Sequence, residues 1–137
     1  MKLKLNLNFF LSGFLSTIVF HQGSLGLLYV LKILPALPYN MTPTEPLGVP
    51  AVISLSFFGG LWGILIGHLV HQESAKKYWL KATFLGSLGP TAVAFLIVFP
   101  IKGINFNPLM LPIGLFLNAA WGVGLGLFIL LFKKWLK

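Results

Sequence analysis

The sequence AVISLSFFGGLWGILIGHLV at 51–70 follows the proline-bounded segment PLGVP at 46–50 and decides the fold. It holds 20 residues with no Asp, Glu, Lys or Arg. A helix of this length is about 30 Å long, which is enough to cross the hydrocarbon core of a bilayer. A similar order returns later as PLMLP at 108–112 and FLNAAWGVGLG at 116–126. We therefore predict a membrane helix and a second copy of it further along the chain.

The two copies align at a constant offset of 59 positions. Because Trp and Gly are not interchangeable with other apolar residues in a membrane helix, their agreement indicates a tandem duplication of a two-helix unit, about 9–71 and about 77–132, within one transmembrane domain 1–137. Two helices return the chain to its starting side, so the repeated hairpins are parallel, with a pseudo-twofold axis along the membrane normal. The matched pairs are Phe57 with Phe116, Trp62 with Trp121, Gly63 with Gly122, and Gly67 with Gly126.

Composition predicts an all-α integral membrane protein with four transmembrane helices. The chain is 57% hydrophobic and 9% charged, whereas soluble domains carry about 25% charged residues. The segment 35–49 holds prolines at 35, 38, 43 and 46, which interrupt helices and strands, so we expect a loop of turns and extended chain. The predicted spans are roughly Phe9–Val30, Ala51–Val70, Tyr78–Phe99 and Leu111–Phe132.

All ten basic residues are lysines, and they fall mainly on one side of the predicted spans. Cytoplasmic loops carry the excess of Lys and Arg, so both termini are expected in the cytoplasm and the loop 35–49 outside. These lysines attract anionic lipid headgroups, at about 1 kcal/mol each, and this placement favours lipid over nucleic acid as the partner of the +8 charge. The inner side holds Lys2, Lys4, Lys76, Lys77, Lys81, Lys133, Lys134 and Lys137, and the outer side holds Lys32 and Lys102.

Small residues recur every four positions on the second and fourth spans. This spacing lets another backbone approach closely. Two arrangements fit: the two glycine faces pack against each other at the pseudo-twofold axis, or each receives its own hairpin partner. The packing glycines are Gly59, Gly63 and Gly67 on the second span, with Gly122 and Gly126 on the fourth.

A polar stripe on the first span contains the sharpest candidate site. Gly13, Thr17, His21 and Ser24 share one helix face, and Gln22 adjoins His21. His21 is expected near the middle of the first span, and an ionisable residue at that depth is a functional hypothesis by default. We expect a neutral imidazole that bonds to Asn118 or Thr91 on another span. The alternatives are a polar path for a solute and axial ligation of a tetrapyrrole by His21.

Five further residues have a packing or interfacial interpretation beside a functional one. Trp62 and Trp121 lie near mid-membrane and are expected to pack beside the glycines, with the wall of a ligand site as the alternative. His68 and His71 could share a metal with Glu73, although paired histidines beside lysines at a membrane interface are commoner.

Catalysis is poorly supported by the residue types present. The chain has no Asp, Cys or Arg, and neither of its two Glu residues lies within a predicted span. The predicted spans therefore contain no carboxylate that could serve in a general acid–base pair or hold a metal ion. We predict that the protein is not an enzyme and carries no cofactor.

Several motifs resemble a family of small bacterial four-span membrane proteins of uncharacterised activity. They are FHQG at 20–23, NMTP at 40–43, PLGVP at 46–50 and GGLWG at 59–63. The resemblance covers mainly the first half of the chain. It implies a bacterial inner-membrane location and brings no activity, substrate or catalytic residue.

Two classes of function follow from the sequence. The first is a non-catalytic accessory or scaffold subunit that packs against a larger membrane complex, lipid or pigment. The second is a small homo-oligomeric channel or transporter, with a polar path along Gly13, Thr17, His21 and Ser24. Small size, glycine faces and the lack of buried charge favour the first class.

Overall fold

The computed structural model describes residues 1–134. Within that range four helices are long and apolar enough to cross a membrane, which confirms the predicted number and approximate positions of the helices. Their order in the chain is α1 Lys2–Val30, α2 Ala51–Val70, α3 Ala75–Ile101 and α4 Met110–Lys133.

The first helix begins at Lys2, seven positions before the start expected from hydropathy. One of its early polar residues, Asn8, has a hydrogen-bond partner within the helix. The Asn8 side chain is buried, and Ser12 Oγ donates a hydrogen bond to Asn8 Oδ1 at 3.0 Å. The helix therefore extends beyond the apolar span that hydropathy predicted, at its N-terminal end.

One turn of α1 is wider than an α-helical turn. The residues Lys2–Ser16 and Gln22–Val30 are α-helical, whereas Thr17–His21 form a π-turn. The N–H of Gln22 bonds to the carbonyl of Thr17, five residues back. In an α-helix this N–H would bond to the carbonyl of Ile18, four residues back. A second π-turn, Ala94–Val98, follows Pro90 in α3.

The proline-rich loop forms turns and extended chain, as predicted. Strand β1, Pro43–Thr44, pairs antiparallel with β2, Val49–Pro50. Gly48 closes the turn between them at φ +70°, a left-handed conformation that glycine adopts without steric cost. The loop returns to α2 through a hydrogen bond from the Val52 N–H to the Asn40 carbonyl at 2.9 Å.

Each glycine face receives its own hairpin partner, so the first of the two arrangements considered is wrong. A Cβ on Gly63 would fall against the Phe9 carbonyl oxygen and 2.9 Å from Gly13 Cα. In the second hairpin, a Cβ on Gly122 would fall against the Ala82 carbonyl oxygen. Gly59 and Gly67 likewise face α1, and Gly126 faces the start of α3.

The core lies where all four helices meet. It is formed by apolar side chains together with the glycine contacts, and its centre is shifted toward the end of the bundle where the chain begins. The buried cluster consists of Phe9, Ile66, Val70, Tyr78, Ala82, Trp121, Leu125 and Ile129.

Substitution of the glycines at the two crossings tests this packing. Gly63→Ala and Gly122→Ala should each destabilise the bundle by about 1–3 kcal/mol, because the added methyl meets backbone that cannot move independently. The matched control is Gly23→Ala in α1, since a Cβ there meets nothing within 4 Å. Thermal unfolding in detergent should show lower midpoints for the first two variants and an unchanged or higher midpoint for the control. Equal effects at all three positions would contradict the packing.

Candidate functional site

The Trp121 side chain joins α4 to α1 at the centre of the bundle. It is 3% exposed. Its Nε1–H donates to the Gly13 carbonyl at 3.0 Å and to Thr17 Oγ1 at 3.1 Å. Thr17 Oγ1 in turn donates to the Gly13 carbonyl at 3.1 Å. Two residues of the predicted polar stripe are therefore engaged in helix packing.

A second hydrogen bond crosses the same contact in the opposite direction. Ser16 Oγ donates to the Trp121 carbonyl at 2.6 Å. Gly124 makes room for this contact, because a Cβ there would fall against Ser16 Oγ and the Phe20 ring. Sequence analysis singled out neither Ser16 nor Gly124. The signal that could have indicated this contact is Gly124 itself, a glycine on the face of α4 opposite Gly122 and Gly126.

Both mid-bundle tryptophans pack beside glycines, as predicted. A Cβ at Gly59 would lie 3.3 Å from Trp121 Nε1, and one at Gly86 would lie 3.3 Å from its ring. The Trp62 ring lies against Gly89 of α3, 2.9 Å from the position that a Cβ would take. These contacts assign both rings to helix packing.

The expected partners of His21 are wrong. Asn118 Nδ2 donates to Thr91 Oγ1 at 2.9 Å, so these two side chains bond to each other. His21 Nδ1 instead lies 3.3 Å from Gln22 Nε2 on the same helix. Asn118 and Thr91 therefore satisfy each other, and the contact of His21 is within α1.

A backbone donor fixes the orientation of the Gln22 amide. The Tyr39 N–H donates to Gln22 Oε1 at 2.7 Å, and a backbone N–H can only donate. The opposite amide atom, Nε2, is then the donor that approaches His21 Nδ1. In this arrangement Nδ1 is the acceptor, which corresponds to a neutral ring with its proton on Nε2.

This tautomer disfavours the tetrapyrrole hypothesis. A histidine that binds a metal through Nε2 keeps its proton on Nδ1 and donates it to a neighbouring acceptor. In this chain Nδ1 faces the Gln22 amide nitrogen, which is itself a donor. Metal ligation through Nε2 would require Gln22 to turn over and give up the Tyr39 bond.

The loop folds back onto α1 through Tyr39, which sequence analysis missed. Tyr39 Oη donates to the Ile18 carbonyl at 2.9 Å, the carbonyl that the π-turn leaves without its usual partner. Tyr39 has φ 57°, an uncommon value for a residue other than glycine. Nothing local in the sequence indicates this conformation.

His21 lies nearer to the loop end of the bundle than the mid-span position expected from the sequence, although α1 continues to Val30. Thr17 lies opposite Gly59, Gly13 opposite Gly63, and Phe9 opposite Gly67, so the antiparallel helices advance together in steps of four. The π-turn Thr17–His21 continues toward the loop, so His21 lies level with the first turns of α2, about four residues inside its start. At 1.5 Å per residue this is a depth of about 6 Å.

At the opposite end, the three metal candidates have other partners. His68 Nε2 lies 2.7 Å from Asn6 Oδ1, and His71 Nδ1 lies 3.1 Å from the Gly67 carbonyl of its own helix. The Glu73 carboxylate forms an ion pair with Lys81, and the hydrogen bond from Lys81 lowers the pKa of Glu73 below its ordinary value. Among residues 1–134, no group of three potential ligands is arranged to hold a metal ion.

These features define the class of protein: a helical chain whose four apolar helices suggest a multi-pass membrane protein. Comparisons with protein-family models, with curated proteins and with solved structures find no match.

The Gln22 contact generates a prediction for the loop. Gln22→Leu removes the acceptor of the Tyr39 N–H, so hydrogen exchange at that amide should accelerate and stability should fall by about 1 kcal/mol. Tyr39→Phe should keep the amide protected, because it removes only the hydroxyl. The matched control is Gln72→Leu, at an exposed position on the far end of the bundle. Unchanged exchange in Gln22→Leu would contradict the contact.

Proposed function

We propose that the protein is a non-catalytic, multi-pass protein of the cell inner membrane that serves as a helical accessory or scaffold subunit. In this role it packs against a larger membrane complex, lipid or pigment. The observation that carries the proposal is the Trp121 contact with α1, since the central polar side chains of the bundle are used to join its own helices.

The same contact argues against a channel lined by Gly13, Thr17, His21 and Ser24. Gly13 and Thr17 are buried, the former against the α2 backbone and the latter beneath the Trp121 indole. A path along this face would have to break the hydrogen bonds that hold α4 to α1. The accessory role requires no such rearrangement.

The proposed orientation places both termini in the cytoplasm. The lysines at the start of α1, at the start of α3 and at the end of α4 support it, because these three helix ends lie at the same end of the bundle. The His68–Asn6 contact joins α1 to the end of α2 at this end of the bundle. The resemblance to small bacterial four-span proteins supports the inner membrane as the location.

We also propose that the two hairpins arose by duplication. Gly63 and Gly122, equivalent at the 59-residue offset, occupy similar crossings. Gly63 meets Gly13 Cα at 2.9 Å, and Gly86 meets Gly122 Cα at 2.7 Å, each measured from an added Cβ. In both cases the second-helix glycine abuts a carbonyl four residues before the first-helix glycine. The hairpins should superpose by rotation about the membrane normal.

The surface available to a partner is largely apolar. On α3 the exposed side chains include Leu80, Phe84 and Leu96, exposed by 60%, 63% and 77%. Lipid tails or the helices of another subunit can cover such a face. Anionic headgroups would meet the lysines at its cytoplasmic end.

Native mass spectrometry after extraction in native lipid tests the accessory role. We expect a fixed partner subunit, pigment or lipid to remain bound at constant stoichiometry, because a scaffold binds its partner in the resting membrane. The companion measurement is solute flux in liposomes that hold the purified protein alone, with protein-free liposomes as the control. A homo-oligomer without bound partner that conducts solute would contradict the proposal and favour the channel.

A further inference from the structure

We propose that His21 donates a hydrogen bond from Nε2–H to a carbonyl oxygen of a membrane-soluble molecule near the outer side of the bundle. The molecule is a lipid ester or a quinone head group, which offer the same acceptor. This inference rests on the proposed membrane function and names the ligand chemistry of its candidate site.

The first step is the fixed tautomer of His21. Tyr39 N–H determines which end of the Gln22 amide accepts, and the other end donates to His21 Nδ1. The Gln22 side chain is 4% exposed, so its amide is shielded from competing water. The imidazole is thereby set to present a proton, and not a lone pair, at Nε2.

The second step concerns the partner of that proton. Within residues 1–134, no hydrogen bond involves His21 Nε2, whereas Nδ1 has the Gln22 contact. Every buried side-chain nitrogen and oxygen in the described part of the chain has a hydrogen-bond partner. Nε2 is therefore not completely enclosed by the described residues, in a side chain of intermediate burial.

The third step is the depth of the donor. His21 lies about 6 Å inside the level at which α2 begins, at 1.5 Å per residue. Lipid tails offer no acceptor, and a donor left unbonded in hydrocarbon costs free energy. The acceptors at the boundary between headgroups and tails are ester carbonyls and the carbonyls of lipid-soluble quinones. Both can meet an N–H donor without a charge.

The fourth step is the restraint on the ring. The loop residue Tyr39 bonds α1 at both Gln22 and Ile18, one turn apart. Because these bonds hold the Gln22 amide, they also hold the imidazole it contacts. His21 is thus a positioned donor, which a ligand can meet without reorganising the bundle.

Nitrogen-15 NMR of histidine-labelled protein in nanodiscs tests the inference. The chain has three histidines, and His21→Gln identifies the His21 resonances by their loss. Three lipid conditions are compared: diester phospholipid, diether phospholipid without carbonyls, and diether phospholipid with ubiquinone. His68 and His71, at the opposite end of α2, serve as internal controls.

We expect His21 to be protonated at Nε2 and unprotonated at Nδ1, with its Nε2–H proton shifted downfield by a carbonyl acceptor. A downfield shift in diester that is lost in diether lipid identifies the ester as the acceptor. A downfield shift that ubiquinone produces in diether lipid identifies the quinone. In Gln22→Leu the Nε2–H population should fall, whereas in Gln72→Leu it should not.

Two results would overturn the inference: a proton on Nδ1, or an Nε2–H shift that is the same in all three lipid conditions. Rapid exchange of Nε2–H with bulk water in every condition would overturn it as well, and would also contradict the proposed placement in the membrane. The absence of a bound subunit in native mass spectrometry bears on the accessory role alone. The two failures are therefore distinguishable.

Discussion

The hydrogen bonds between Trp121 and α1 are the interaction on which the bundle depends. In a bilayer the lipid tails are as apolar as leucine, so burial of apolar surface does not drive helices together. Association then rests on close packing and on hydrogen bonds between helices. The indole N–H reaches the Gly13 carbonyl, and Ser16 returns a bond to the Trp121 carbonyl. The glycine crossings within each hairpin bring the backbones close, and this contact joins the hairpins.

The sequence predicted the features that depend on composition and period. Helix number and position follow from the length of the apolar runs, since a helix that crosses a bilayer satisfies its own backbone. The glycine period located the close approaches at Gly63 and Gly122. It left two packing arrangements open, because spacing identifies a smooth face and not the helix that covers it. Prolines predicted the irregular loop correctly.

The surroundings of His21 depend on features that leave no periodic signal. The π-turn adds one residue to a helical turn and frees the Ile18 carbonyl, which Tyr39 then bonds. Tyr39 has a left-handed backbone conformation, which is uncommon for tyrosine and is not predicted by its residue type. Without these features, the sequence analysis named Asn118 and Thr91, two polar residues on other spans, as partners of His21. The contact between Gln22 and His21 depends on the loop, because the Tyr39 N–H orients the Gln22 amide. The proposed role of His21 as a neutral donor therefore depends on the loop as well.

A double-mutant cycle between Thr17 and Trp121 tests most directly whether the polar stripe holds the helices together. Thr17→Val and Trp121→Phe remove the two ends of one hydrogen bond, and thermal or denaturant unfolding in detergent gives the free energies. We predict a coupling free energy of about 0.6 kcal/mol and at most about 1.7, the range for such bonds in membranes. The matched cycle of Thr17→Val with Trp62→Phe should be additive, because the Trp62 ring lies against Gly89. Additive effects in the Trp121 cycle would contradict the account.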